Sequence, residues 1–322
     1  MNDIIHINSQ LAEQSHSTDD LIEQYLADLQ DVMDSSKKRY RKSLKKYFAW
    51  LVTKGYTVRG VTLTEILQYK QSLIDAKLAD GSRLSDVTIG TYLVALKGFY
   101  KWANSKGFPF NAAAMLKSPK KDGKFKREYI PEDKLNELFA YFEKISIRNL
   151  SIAKILYYCG LRTIELVRLN WGDIRWATEG RRVIDVQGKG KKKKDRTVNL
   201  TDKSFWVLES YKKYKLEKYG DSAITADAPI FASEGAGGGR GRLITGTVSE
   251  IIKAGLRAIG MDSRKFSAHS LRHSAGTIAM QKGGTKEEVR DMLRHSSTTI
   301  TDIYTKAIDA ENRLKKSAED LL

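Results

Sequence analysis

The stretch SAHSLRHSAGT, residues 267–277, holds two of the chain's five histidines, His269 and His273, four positions apart on a helical pattern. A zinc-protease helix with that spacing would carry glutamate directly after the first histidine, but Ser270 stands there, and no cysteine cluster could complete a metal cage. Metal catalysis is therefore not expected, and Arg272 becomes the distinctive residue. Other short segments add related side chains. GLRTIEL (160–166) contributes Arg162, QGKGKKKKDRTVNL (187–200) contributes Lys189, and LRHSSTTITDIY (293–304) contributes His295 and Tyr304. A set of cations with one phenol points to attack on a phosphodiester.

Phosphoryl transfer builds negative charge on the non-bridging oxygens, and two guanidiniums can clamp them with planar forks of donors. Arg162 and Arg272 fit that task. A phenol with an ordinary pKa near 10 needs cations close by before it can attack as phenolate, which suits Tyr304. The leaving alkoxide needs a proton, and Lys189, in a basic loop between two strands, is the candidate donor. Taken singly, each residue has a plainer reading. Glu165 would be a surface partner of Arg162 three residues away, worth about 0.2–0.5 kcal/mol. His269 would be a helix cap, His295 a core histidine, and Tyr304 one of 15 tyrosines.

Composition agrees with an anionic partner. The chain has 322 residues, 41% hydrophobic and 30% charged, with a formal charge of +17, which suits a folded protein acting on nucleic acid. Its single cysteine, Cys159, excludes an internal disulfide and an iron-sulfur cluster and reads as a small buried apolar residue. No signal-peptide pattern opens the sequence, and no apolar run could span a bilayer, so a cytoplasmic, nucleoid-associated protein without membrane contact is expected.

Charge also divides the chain. Residues 1–34 carry eight acidic and no basic side chains, whereas residues 35–120 carry 17 basic and four acidic. Helical spacing predicts four helices, near 19–31, 36–54, 64–79 and 85–106, capped at Ser36 and Thr64 and stopped at Gly55, Asp80-Gly81 and Gly107. In the fourth, Val87, Tyr92, Leu93, Leu96, Phe99, Tyr100 and Trp102 form the apolar stripe. The expected division is an N-terminal tail (1–17), a basic helical domain (18–117), a basic linker (118–130) and a catalytic domain (131–322) ending in a helix over 309–322, whose apolar side would suit either docking on a neighbouring protomer or packing on its own domain. Within the last, helices are expected near 132–142, 149–159, 163–169, 203–219, 246–258, 270–281, 286–293 and 298–306, and strands near 174–176, 182–186 and 195–199. The glycine-rich loop 234–241 reads as a connector, since it lacks the phosphate-loop pattern.

The four quoted boxes resemble, in order and spacing, the signature segments of the tyrosine recombinases, the phage-integrase and Xer-type family. The resemblance implies a mainly α chain with a small β-sheet, built as a SAM-like helical domain and a mixed α/β catalytic domain that clamp DNA in a C shape. It implies catalytic roles for Arg162, Lys189, His269, Arg272 and His295, a supporting role for Glu165, and Tyr304 as the nucleophile that forms a 3′-phosphotyrosyl link. Every expected position is filled, which argues for activity. Ile164 stands where serine or alanine is common, Arg294 where glycine commonly precedes the histidine, and the hairpin's lysine run is longer than usual.

The resemblance further implies site-specific recombination through a Holliday junction, on duplex DNA with inverted-repeat sites, by a tetramer whose free form is a monomer, with no cofactor, metal or ATP. Integration, excision or inversion of a mobile element is the expected role, with Xer-type dimer resolution as the alternative. A type IB topoisomerase-like activity and a non-catalytic DNA-binding protein are the rivals. The side chains expected against phosphates are Lys37, Lys38, Arg39, Arg41, Lys42, Lys45, Lys97, Lys101, Lys120, Lys121, Lys124 and Lys191, Lys192, Lys193 and Lys194.

Overall fold

The computed structural model describes residues 18–119, 128–178, 180–234 and 241–294. The chain packs as two compact units, Met1–Asp122 and Gly123–Leu322. The first is all-helical: α1 (18–28), α2 (Asp34–Thr53), α3 (Leu63–Asp75) and α4 (Asp86–Ser105). Buried positions recur at helical spacing, with Leu44, Tyr47, Phe48 and Leu51 on α2 facing Leu93, Leu96, Phe99 and Tyr100 on α4. Tyr47 and Tyr100 share a buried hydroxyl hydrogen bond of 2.9 Å, so the core keeps their polar tips satisfied.

Local chemistry corrects several expected boundaries in this unit. Helix α2 starts two residues before Ser36, capped at Met33 without a side-chain bond, and α3 is capped by Thr62 rather than Thr64. Thr62 and Glu65 form a reciprocal capping box, in which the Glu65 carboxylate accepts from the Thr62 amide at 2.7 Å. Helix α3 ends at Asp75 instead of running to residue 79, because Lys77 and Arg83 pair as an isolated bridge around a turn at Asp80-Gly81. Gly81 has φ +77, and the Ser82 amide donates to the Asp80 carboxylate, so the turn is fixed locally. Val87 lies outside the stripe assigned to it and is 45% exposed; Ile89 fills the buried position.

The second unit has α5 (Glu132–Ile145), α6 (Ile147–Tyr158), α7 (Thr163–Val167), strands β1 (Ile174–Trp176), β2 (Arg182–Val186) and β3 (Arg196–Asn199), then α8 (Asp202–Tyr219), α9 (Thr245–Ala258), α10 (Ala268–Gln281) and α11 (Lys286–Leu293). The strands form one antiparallel sheet in the order β1-β2-β3, with Ile184 opposite Val198. Helix α10 is the centre of the unit: Ala268 and every residue from Ser270 to Ile278 are buried. Small side chains at Ser270, Ser274, Ala275 and Gly276 suit a helix enclosed by α6, α9 and α11. The His273 side chain bonds Thr277 through Nδ1 at 3.1 Å, and burial pushes its pKa down. Cys159 is buried as expected, and burial raises its thiol pKa to about 12. No helix among the described residues is long and apolar enough to cross a membrane. Most of the glycine-rich loop, 235–240, and the helices expected over 298–306 and 309–322 lie outside the described residues.

Candidate active site

Arg162 precedes α7 at its N-cap, directly after a turn in which Gly160 has φ +52. That turn needs glycine twice over: its φ is left-handed, and a Cβ there would stand 2.8 Å from Leu293 Cδ2. The short α7 then brings Glu165 back toward Arg162. The Glu165 carboxylate accepts from the Arg162 amide at 2.9 Å and from Arg162 Nη1 at 2.6 Å. The pair is far from the surface contact its spacing suggests, since Glu165 is 1% exposed.

Two further guanidiniums reach the same carboxylate. Arg294 Nη2 donates to Glu165 Oε2 at 3.0 Å, and Arg272 Nη1 lies 3.9 Å from that oxygen. Burial, the strongest influence on Glu165, works to raise its pKa; Arg294, the Arg162 amide, Arg162 and Arg272 together outweigh it and hold the carboxyl below its ordinary value. Three arginines against one carboxylate leave the cluster positive, which suits an incoming phosphate.

The same arginines satisfy the open end of α11. Arg272 Nη2 donates to Leu293 O and its Nη1 to Gly160 O, Arg294 Nη1 donates to Met292 O at 2.7 Å, and Arg162 Nη2 reaches Arg294 O at 3.5 Å. A helix C-terminus presents unpaired carbonyls and partial negative charge, so cations are stabilised there. Arg162 keeps 32% of its side chain exposed, whereas Arg272 is 1% exposed. Arg162 is thus the member of the cluster open to solvent, and Arg272 lies behind it with both terminal nitrogens bonded to carbonyls.

Lys189 sits at the exposed tip of the β2–β3 hairpin, and the base of that hairpin is fastened to the end of α7. Arg168 Nη1 donates to Gly188 O at 3.1 Å, the Gly188 amide donates to Asp195 at 2.8 Å, and Lys194 Nζ donates to Asp173 at 2.5 Å and to Arg168 O at 2.9 Å. Lys194, expected against a phosphate, braces the hairpin here, its charge matched by a half-buried carboxylate. Lys191, Lys192 and Lys193 are exposed. His269 is the exposed residue at the start of α10, one turn before Arg272. His295 and Tyr304 lie outside the described residues.

The basic face of the first unit is mixed. Arg41 donates to Glu23 through Nε and Nη2, each at 2.6 Å, and Lys45 bonds Asp19 at 3.1 Å, so the acidic α1 neutralises part of α2. Arg39 bonds Ser36 at 3.2 Å; Lys38, Arg39, Lys42 and Lys101 are exposed, and Lys37 and Lys97 half-buried. Lys120, Lys121 and Lys124 lie outside the described residues. Sequence reasoning missed Arg168 and Asp173, which carry no local signal, and misjudged Arg294, whose signal was a long cation just past a helix end where glycine is usual.

Comparison with known proteins places this arrangement. Residues 128–311 match the phage integrase family, and residues 22–107 match the phage integrase N-terminal SAM-like domain. The chain is 30% identical over 309 residues to the tyrosine recombinase XerD of Proteus mirabilis, covering 92% of this chain and 91% of that one. It is 26% identical over 295 residues to a tyrosine recombinase of Thermosipho africanus, covering 91% and 95%. Among solved structures, XerH recombinase bound to a palindromic difH substrate aligns with a TM-score of 0.70 at 20% identity, covering 88% of this chain and 80% of that one. A lambda integrase tetramer bound to a Holliday junction aligns at 0.66 and 18% identity, covering 90% and 76%. With the phage integrase family matched over more than half of its length, the chain belongs to that family, the tyrosine recombinases that cleave and rejoin DNA.

Proposed function

We propose that this chain is a site-specific recombinase in which Tyr304 is the nucleophile, Arg162 contacts the scissile phosphate with Arg272 as the second cation behind it, Lys189 protonates the leaving oxygen, and His269 and His295 complete the site. The Tyr304 phenol gives up its proton to solvent water, the phenolate oxygen attacks phosphorus, and the bond to the 5′ oxygen breaks. Lys189 gives that oxygen its proton, leaving a 3′-phosphotyrosyl enzyme and a free 5′-hydroxyl. Attack by a 5′-hydroxyl from the partner duplex then reverses the chemistry and exchanges strands. The link conserves the phosphodiester energy, so no ATP is required, and the cationic side chains supply the charge stabilisation that a metal would otherwise give. The observation that carries the reading is the convergence of Arg162, Arg272 and Arg294 on buried Glu165 beside the open end of α11, a positive cluster ready for an anion.

The partner is duplex DNA with inverted-repeat sites, bound in a synaptic tetramer assembled from monomers. Support comes from the structural neighbours, which include a recombinase on a palindromic substrate and a tetramer on a Holliday junction. Exposed Lys38, Arg39, Lys42, Lys101 and Lys191 to Lys193 meet phosphates, together with Lys37, Lys97, Lys120, Lys121 and Lys124. The protein acts in the cytoplasm, on the nucleoid. Its proposed role is integration, excision or inversion of a mobile element. The likeness to Proteus mirabilis XerD favours dimer resolution as a second reading.

Incubation with a nicked suicide substrate tests the chemistry. A covalent protein–DNA adduct is expected, and Tyr304→Phe is expected to abolish it; an adduct that survives in Tyr304→Phe refutes the assignment. A second assay pairs two labelled duplexes: joined recombinant strands support strand exchange, while relaxation of supercoils alone favours the topoisomerase reading. Binding with no adduct at all leaves the architectural reading.

A further inference from the structure

We propose that Arg294 is a positioning residue for strand cleavage: its guanidinium locks Glu165, and through Glu165 sets the solvent-facing guanidinium of Arg162 against the end of α11. The proposal rests on the reading of Arg162 as a phosphate ligand.

Backbone geometry marks the residue first. Arg294 has φ +53, ψ +45, and among the described residues it is the one non-glycine with a positive φ. A side chain in this region crowds its own backbone, so arginine is disfavoured there relative to glycine. Its contacts offset that cost. The side chain is 6% exposed and donates to Met292 O at 2.7 Å, Gly160 O at 2.8 Å, Glu165 Oε2 at 3.0 Å and Cys159 O at 3.3 Å. One guanidinium thus joins the last turn of α11, the end of α6 and the first turn of α7.

A long cation at a helix end could be no more than a cap, which would need only Met292 O. Arg294 does more, because Glu165 Oε2, the oxygen it binds, also accepts from the Arg162 amide, while Oε1 holds the Arg162 guanidinium. The Arg294 carbonyl in turn accepts from Arg162 Nη2. Arg294 therefore meets Arg162 through its side chain by way of Glu165, and through its backbone directly. Without the side chain, Glu165 keeps Arg162 and Arg272 but loses its tie to the segment that follows α11. Misplacement of a reacting group by about 1 Å can slow an enzyme by about 100-fold, which sets the scale of the effect.

Arg294→Gly and Arg294→Lys distinguish this role from a structural one. Glycine adopts the left-handed φ without strain, so Arg294→Gly is expected to fold and to bind its DNA site within about threefold of wild type, since the side chain is buried. Single-turnover adduct formation on the nicked substrate, at saturating enzyme, is expected to fall about 10- to 100-fold, with partial recovery in Arg294→Lys. Glu165 is faced by Arg162 before α7, by Arg272 on α10 and by Arg294 after α11. Loss of one cation should therefore raise its pKa, seen in its carboxyl carbon-13 titration and as an acid limb of the rate profile moved to higher pH. Wild-type cleavage rate with an unshifted Glu165 titration in Arg294→Gly overturns the proposal. If Arg294→Gly is poorly folded, the rate in Arg294→Asn, which also tolerates the left-handed region, decides in the same way. If the wild type itself forms no Tyr304-dependent adduct, the functional reading fails separately, and an unshifted Glu165 titration still refutes the tie.

Discussion

The arginines gathered around buried Glu165 and the exposed lysine face of α2 are both dense in positive charge, yet they are built on opposite terms. In the second unit each guanidinium is held by named oxygens: Arg272 by Gly160 O and Leu293 O, Arg294 by four acceptors, and Arg162 by Glu165 Oε1 and the Arg294 carbonyl. In the first unit Lys38 and Lys42 project into solvent, and the paired residues Arg41 and Lys45 remain 38% and 52% exposed. A cation whose task is to sit at one point of a reaction must be immobilised, and burial among matched acceptors does that. A cation that only has to follow a phosphate backbone works better on a long, hydrated stem.

If that contrast is right, mutations should separate the two regions by the size of their effects. The largest is expected at Glu165. Glu165→Gln leaves three guanidiniums around a neutral group and should lower unfolding free energy by about 3–5 kcal/mol in urea titrations. In wild type, the lowered Glu165 pKa sets the sign with pH. Between its folded value and the ordinary value of 4.5 the unfolded chain binds the extra proton, so the carboxylate's contribution is full above pH 4.5 and is lost as pH falls through the folded pKa. Acid unfolding of Glu165→Gln should therefore be less steep than that of wild type below pH 4.5.

Next comes Gly160→Ala, which forces a Cβ into a left-handed backbone and toward Leu293; a loss of about 2 kcal/mol is expected, read as a lowered melting temperature. Breaking the exposed pair in Arg41→Ala should cost no more than about 1 kcal/mol, and added salt should erase the difference. The smallest effect on stability belongs to Lys38→Ala with Lys42→Ala, within about 0.5 kcal/mol of wild type. Those two changes should still reduce the salt slope of DNA binding by about 0.9 for each phosphate that a lysine no longer neutralises. A stability loss at the lysines equal to that at Glu165 would remove the distinction.

Much of the helical frame was legible from spacing alone. Strands 174–176 and 182–186 and helix 286–293 fall where alternation and capping place them, because those cues are local. The errors were local too: Thr62 outcompeted Thr64 as a cap through its reciprocal bond with Glu65, and the Lys77–Arg83 bridge cut α3 short. The site was legible as a set of residue types, since Arg162, Glu165 and Arg272 do meet. Its geometry was not, because Glu165 and Arg294 are 129 positions apart and no periodicity links them.

By itself, then, the sequence determined the charge that calls for a polyanion, the helical frame, and the ordered boxes that mark the family. Tertiary structure decided which cations are held by buried acceptors and which stay exposed. Lys194 and Lys193 are neighbours in one lysine run, yet only Lys194 finds Asp173. Lys215 stands in a helix rich in lysine, yet it is fully buried, donating to Pro229 O at 2.9 Å, and burial lowers its pKa to about 8. The physical reason is common to both: a side chain's charge is written in its covalent structure, but the dielectric around it and the acceptors within reach exist only once distant segments have packed together.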